Sequence, residues 1–172
     1  MSKAPALSRD RIVEAAVAVA DGGGLSAVSM RNVGDQLGVR AMSLYHHVAN
    51  KDEILDALAD WVFGQIWLPE LDDPWRPAMA ARADSSRAVL FEHGWALGLI
   101  ESRRNPGPAL LRHHDTVLGC LLANGFSMRL ASHAFSVLDA YIYPDEGAAD
   151  FAAELDLPFE AYPHMARMLT EL

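Results

Sequence analysis

The side chains best suited to meeting another molecule lie between Ser29 and Lys51, and the chemistry they suit is non-covalent recognition of nucleic acid. Arg31 can donate two parallel hydrogen bonds to guanine O6 and N7, Ser43 can reach a base or a phosphate, and Met42 offers apolar contact to a thymine methyl. Tyr45, His46, His47 and Lys51 are donors able to hold phosphates and fix register. Burial of Tyr45 against its own bundle is the alternative for that residue. The spacing suits the task, because Ser29 can cap a short helix, Gly38-Val39-Arg40 can turn the chain, and a second short helix can begin near Ala41 or Met42. A helix-turn-helix needs such compactness: one helix braces across the backbone while the next presents its first residues to base edges.

Other groupings organise less well. His113-His114 invites a metal, but adjacent helical residues do not share a face, so core or solvated histidines are the better reading. A hydrolase could recruit Ser85 or Ser86 with a histidine and an acid, yet no nucleophile elbow, phosphate loop or metal-ligand motif arranges them. No catalytic residue, metal or cofactor is therefore expected. A helical bundle that binds only other proteins is a further alternative, which salt-dependent DNA binding would separate from a nucleic-acid-binding protein.

The elements that must position these residues are helical, since apolar residues recur at helical spacing and strand-like alternation is scarce. Ser8 caps a first helix with Ile12, Ala15, Ala16, Val19 and Ala20 as its buried stripe, and Gly22, Gly23 and Gly24 stop it. Val33 and Leu37 face inward on the second. Asn50 caps a fourth helix, with Glu53 as its capping-box partner and Ile54, Leu55, Leu58 and Val62 as its stripe. Leu68 to Pro77 reads as a connection, closed by Asp73-Pro74 as N-cap and first-turn proline of a helix running past Val89. Asn105-Pro106-Gly107-Pro108 breaks the chain, Ala109 to Ala123 is helical up to Asn124-Gly125, and Ser127 restarts a helix through Tyr141 that Pro144 interrupts. The expected fold is all-α: residues 1–50 a helix-turn-helix domain, 51–67 a connecting helix and 68–172 a second helical domain, to which the family resemblance given below assigns effector response and dimerisation.

With 172 residues and 51% hydrophobic content, the chain can bury one sizeable core plus a satellite unit. The net charge of −9 argues against nucleic acid only until it is divided along the sequence. Residues 1–51 carry six Lys/Arg against four Asp/Glu, a balance of +2, which leaves −11 for the remainder. Cys120 is the single cysteine, so neither an internal disulfide nor a cysteine zinc cage is expected. With no signal-like start and no membrane-length apolar run, a cytoplasmic protein without membrane association is expected.

Leu37-Gly38-Val39, Leu44-Tyr45-His46-His47-Val48, Asn50-Lys51-Asp52 and Leu55 together resemble the recognition region of the TetR family of bacterial transcriptional regulators. Phe91-Glu92-His93-Gly94-Trp95, Pro108-Ala109-Leu110 and Asn124-Gly125-Phe126-Ser127 look like the ligand-responsive domain of its tetracycline-repressor branch. The resemblance implies that Arg31 reads bases from the bracing helix, that Ala41, Met42, Ser43 and His46 face the groove, and that Tyr45, His47 and Lys51 meet the backbone; Ser29 and Arg40 complete the candidate DNA-contacting set. Gly34 departs from the family's usual alanine and is expected only to soften a short helix.

The function implied is a homodimeric repressor on a palindromic double-stranded operator, released by a small-molecule effector. The family pairs two late helices per subunit, and Ser127 to Tyr143 should supply one, with the other near the C-terminus; directly after Tyr143 the chain departs from the family pattern at Pro144-Asp145-Glu146-Gly147. The effector is expected to be largely apolar, with Trp67, Trp95, Leu99, Leu110, His113, Leu118, Met128, His133 and Leu138 as candidate contacts, because histidines and tryptophans among Met and Leu combine burial with orienting polar groups.

Overall fold

A computed structural model describes residues 6–103, 106–142, 161–164 and 167, and its described residues form eight α-helices with no strand among them. Helix α1 (Arg9–Ala27) starts at Ser8, whose Oγ accepts from the Arg11 amide at 3.3 Å. Its regular course breaks at Gly24 (φ 70°, ψ −179°), within the expected glycine stop, and one further turn carries the chain to Ala27. Helix α2 (Met30–Leu37) is capped by Ser29, whose Oγ accepts from Asn32 N, and closed by Gly38 at φ 69°, a left-handed position that a side chain would strain. Helix α3 spans Ala41–Leu44.

Helix α4 (Lys51–Gln65) begins at Asn50, whose side-chain oxygen accepts from Glu53 N at 2.9 Å. Glu53 reaches back as expected, but its carboxylate accepts from Ala49 N rather than from the cap residue itself. Helix α5 (Trp75–Glu92) corrects one expectation: Pro74 is the flanking cap residue, and no side chain caps this end. Asp73 is occupied otherwise, its carboxylate accepting from Glu70 N and its carbonyl from Asn124 Nδ2, which ties the acidic connection to the far end of α7.

Helix α6 (Ala96–Ser102) follows a brief break at His93–Trp95 and was not distinguished by periodicity, being only seven residues long. Helix α7 (Pro108–Ala123) ends at Asn124 as expected, and α8 (Met128–Ile142) starts behind Ser127, whose Oγ accepts from Leu130 N. The expected break at Pro144 and the second late helix fall outside the described residues.

Three apolar clusters organise these helices. The first joins Ile12, Ala16, Val28, Val33, Leu44, Val48, Ile54 and Leu58, all 0–2% exposed, into a small domain of α1 to α3 closed by the first half of α4. Leu99 of α6 enters this cluster at 1% exposure, so the later helices contribute to the first core. The second cluster packs Ala78 and Met79 of α5 against Leu111, Val117, Leu118 and Leu121 of α7 and Ala131 and Phe135 of α8. The third gathers Phe63, Ile66 and Ile142. Helix α4 joins the first and third clusters, with Ile54 and Leu58 in one and Phe63 in the other.

Candidate nucleic-acid interface

Leu44 and Val48, at 0% and 2% exposure, anchor α3 and the turn after it, where Leu44 O accepts from His47 N at 2.8 Å and Val48 N at 3.0 Å. With those two residues drawn inward, the intervening side chains must face out. Tyr45 is 48% exposed, His46 and His47 are exposed, and Met42 is 72% exposed, so three polar side chains and one thioether are displayed together. Burial of Tyr45 in the bundle is therefore not what the structure shows.

The remaining candidates divide by task. Arg40 and Lys51 are exposed, while Ala41 and Ser43 are half-buried at the start of α3. The Ser29 hydroxyl is already engaged as the α2 cap. Arg31 stands on α2 with a largely exposed side chain, but its guanidinium lies 3.8 Å from Asp35 one turn later. That ion pair was missed in the sequence, although the i, i+4 spacing of Arg31 and Asp35 was the available signal.

Gly34 does more than soften α2. It is buried, and a Cβ there would lie 3.0 Å from Val39 O and 3.2 Å from Ala41 N, so its bare backbone lets the turn sit tightly against α2.

The nine candidate effector contacts do not gather round one space. Leu99 lies in the first core, Leu118 is buried in the second, and Leu110 packs on the third. Met128 is buried, Leu138 is half-buried, and His133 and Trp67 are exposed. Trp95 is engaged with α1, its indole N–H donating to Asp21. Residue type marks side chains that suit a pocket but does not say which interior each one faces, and that is why the set scattered. A cleft of about 480 Å³ lies instead between Arg9, Asp10 and Glu14 of α1, Asp56, Asp60 and Trp61 of α4 and the Pro106–Pro108 turn, and none of the nine lines it.

His113 is the exception, because it belongs to a buried polar group. Arg82, fully buried on α5, donates from Nε to His113 Nε2 at 3.0 Å and from Nη2 to Asp139 Oδ1 of α8. Burial first, and the Arg82 cation second, push the His113 pKa well below the usual histidine value. Burial also lowers His114, whose Nδ1 lies 3.0 Å from Leu110 O. Ser86, one turn after Arg82, is buried too, and Ser85 Oγ accepts from Trp67 N, so neither serine is set beside a base as a nucleophile. The signal for Arg82 was present: Ala78, Arg82 and Ser86 follow one helical stripe, and an arginine on an apolar stripe demands partners.

Residues 12–58 match the family model described as bacterial regulatory proteins, tetR family, and residues 68–171 match the tetracyclin repressor-like C-terminal domain. An HTH-type transcriptional regulator of Saccharopolyspora erythraea is 38% identical over 139 residues, covering 80% of this chain and 59% of the relative. The HTH-type transcriptional repressor DrrR1 of Streptomyces coeruleorubidus is 37% identical over 140 residues, covering 80% of this chain and 52% of the relative. The chain thus spans between half and three-fifths of these relatives' lengths. The structure of ActR from Streptomyces coelicolor in complex with actinorhodin superposes with a TM-score of 0.73 at 27% identity, covering 97% of this chain and 85% of that one.

Proposed function

The chain belongs to the TetR family of bacterial regulatory proteins, and from that premise we propose that it binds a near-palindromic operator as a two-fold homodimer and represses transcription until a small molecule releases it. The observation that carries the DNA-binding part is the outward display of Met42, Tyr45, His46 and His47 around a fully buried Leu44. The donors on this surface match phosphates and base edges. Arg31 reads a base from α2, Ala41, Met42, Ser43 and His46 enter the groove, and Tyr45, His47, Arg40 and Lys51 hold the backbone. The working boundaries are residues 1–50 for this domain, 51–67 for the connecting helix and 68–172 for the effector and dimer domain.

The dimer reading rests on α8, where Leu130 and Val137, two turns apart on one face, are 54% and 70% exposed. The effector reading rests on the buried polar cluster at Arg82 and on relatives such as ActR, whose structure includes bound actinorhodin. Release follows if the effector favours a conformation in which α4 has moved. Among the described residues no helix is long and apolar enough to cross a membrane.

Selection from random DNA duplexes tests the proposal. A near-palindrome should be enriched, with half-sites about one turn, roughly 34 to 36 Å, or a simple multiple apart. Recovery of no common sequence, or binding indifferent to salt, would overturn it.

A further inference from the structure

Three buried polar atoms find no hydrogen-bond partner among the described residues: Arg82 Nη1, Ser86 Oγ and His113 Nδ1. They belong to one neighbourhood, since Ser86 follows Arg82 by one turn of α5 and His113 contacts Arg82 directly. All three can donate. The guanidinium is never deprotonated, so its Nε–H makes His113 Nε2 the acceptor and leaves the proton of the neutral ring on Nδ1. Burial and the neighbouring cation keep that ring neutral. Arg82 Nη1 adds a further N–H donor and Ser86 a hydroxyl. Each buried donor without an acceptor carries its full desolvation penalty, and three in one place are unusual in a folded core.

The surroundings are aromatic. The guanidinium carbon lies 5.3 Å from the Phe135 ring centre, and the Phe63 and His113 ring centres are 5.5 Å apart. Asp139 balances the charge of Arg82, so the group as a whole does not require an anion. What it lacks is acceptor oxygen.

We propose that Arg82, Ser86 and His113 form the polar end of the effector site, and that the effector is an apolar molecule presenting an acceptor oxygen, as a carboxylate or a carbonyl, to these donors. The inference rests on the effector reading above and narrows its chemistry. One such oxygen can accept from two donors, and a carboxylate from all three.

Four naphthalenes of similar size titrated into the full chain test it: 2-naphthoate, 2-acetylnaphthalene, 2-isopropylnaphthalene and 2-(aminomethyl)naphthalene. Affinity is read by calorimetry and the His113 ring by ¹⁵N resonances. The two acceptor probes should bind about tenfold or more tightly than the hydrocarbon, the amine should bind weakest, and both acceptors should move the His113 Nδ1 resonance. Arg82→Met should remove the preference; because it strands Asp139, the Arg82→Met/Asp139→Asn pair is measured beside it. Ser86→Ala removes one hydroxyl and no charge, and should weaken the acceptor probes alone.

Equal affinity for all four probes, no binding by any, or a preference that survives loss of Arg82 would overturn the assignment. Acceptor binding that depends on Arg82 but leaves operator affinity unchanged would keep the site and overturn the effector reading. A compound that releases DNA without moving the His113 resonance would do the reverse.

Discussion

Asp21 and Trp95, 74 residues apart in the chain, meet through a hydrogen bond in which the indole Nε1 donates to the Asp21 carboxylate at 2.7 Å. The same carboxylate oxygen lies 2.8 Å from His93 Nδ1, and the His93 ring stands edge-on to Trp61 with centres 5.0 Å apart. Helices α1 and α4 are thereby fixed to the α5–α6 junction. With Leu99 buried in the first core, this contact gives any rearrangement of α6 a direct mechanical route to the DNA-binding helices.

Asp21→Ala and Trp95→Phe should each lower unfolding stability by about 1 kcal/mol, a modest figure because Asp21 is over a third exposed. Their double mutant should cost clearly less than the two losses combined, since each removes the same bond. Urea denaturation of the four proteins reads the coupling. Strict additivity would show that the bond does not form in solution.

Arg31→Ala should cost about 1 to 3 kcal/mol of operator binding and relax preference at one base pair per half-site. Asp35→Asn should act oppositely: it frees Arg31 from an exposed pair worth little by itself and removes an acid near the DNA-facing surface. Lys51→Ala should weaken all sequences alike and reduce the salt slope by about one counterion. Competition binding at several salt concentrations separates the three outcomes. Equal loss of discrimination from Arg31→Ala and Lys51→Ala would refute the division of roles.

His113 and His114 both have folded-state pKa values below the ordinary 6.5, chiefly through burial. Above that pH the rings are neutral whether the chain is folded or not, and stability is at its plateau. As pH falls through 6.5 the unfolded chain takes up protons that the folded chain refuses, so stability declines until the lowered folded values are reached. Each histidine contributes a slope of up to about 1.4 kcal/mol per pH unit. His113→Gln, which keeps an acceptor for Arg82, and His114→Gln should each flatten the decline that sets in below about pH 6.5. Slopes unchanged by either substitution would contradict the burial of these rings.

The helix-turn-helix was legible because local chemistry defines it: Ser29 caps, Gly38 turns, and Leu44 and Val48 alternate with outward donors within twenty residues. The caps at Ser8, Asn50 and Ser127 were legible for the same reason. What the sequence concealed depends on residues brought together from afar. Asp21 finds Trp95, Arg82 finds His113 and Asp139, and Leu99 crosses into a core built mainly by α1 to α4. Residue type singled out His113 and Leu99 as candidate effector contacts but could not show that they belong to different interiors.

Val137→Asp should abolish the dimer. Val137 and Leu130 leave an apolar stripe on α8 that a second subunit can cover, and a carboxylate at position 137 would be stranded on association. Native mass measurement at micromolar concentration should give a dimer for the unaltered chain and a monomer for the variant. Operator affinity should fall with it, because one half-site alone supplies little specificity. A variant that stays dimeric places the interface elsewhere.

Helix α7 is capped by a residue from another helix. Gly107 offers no side chain at its N-terminus, and Asp60 of α4 takes that role, its Oδ1 accepting from Ala109 N at 2.7 Å and Leu110 N at 3.3 Å. The carboxylate also opposes the positive end of the helix dipole, so Asp60→Ala should cost about 1 to 2 kcal/mol. A Cβ on Gly107 would fall onto the same carboxylate and lie 2.6 Å from Asp60 Cβ. Gly107→Ala must therefore displace Asp60 and lose the cap, at a similar cost. In the Asp60→Ala background the obstructing carboxylate is gone and only the Cβ contact remains, so adding Gly107→Ala should cost distinctly less than it does alone. Thermal or urea unfolding of the two single variants and their combination measures this. Full additivity would show that Asp60 does not hold the start of α7, and that the position of α4 is not tied to it there.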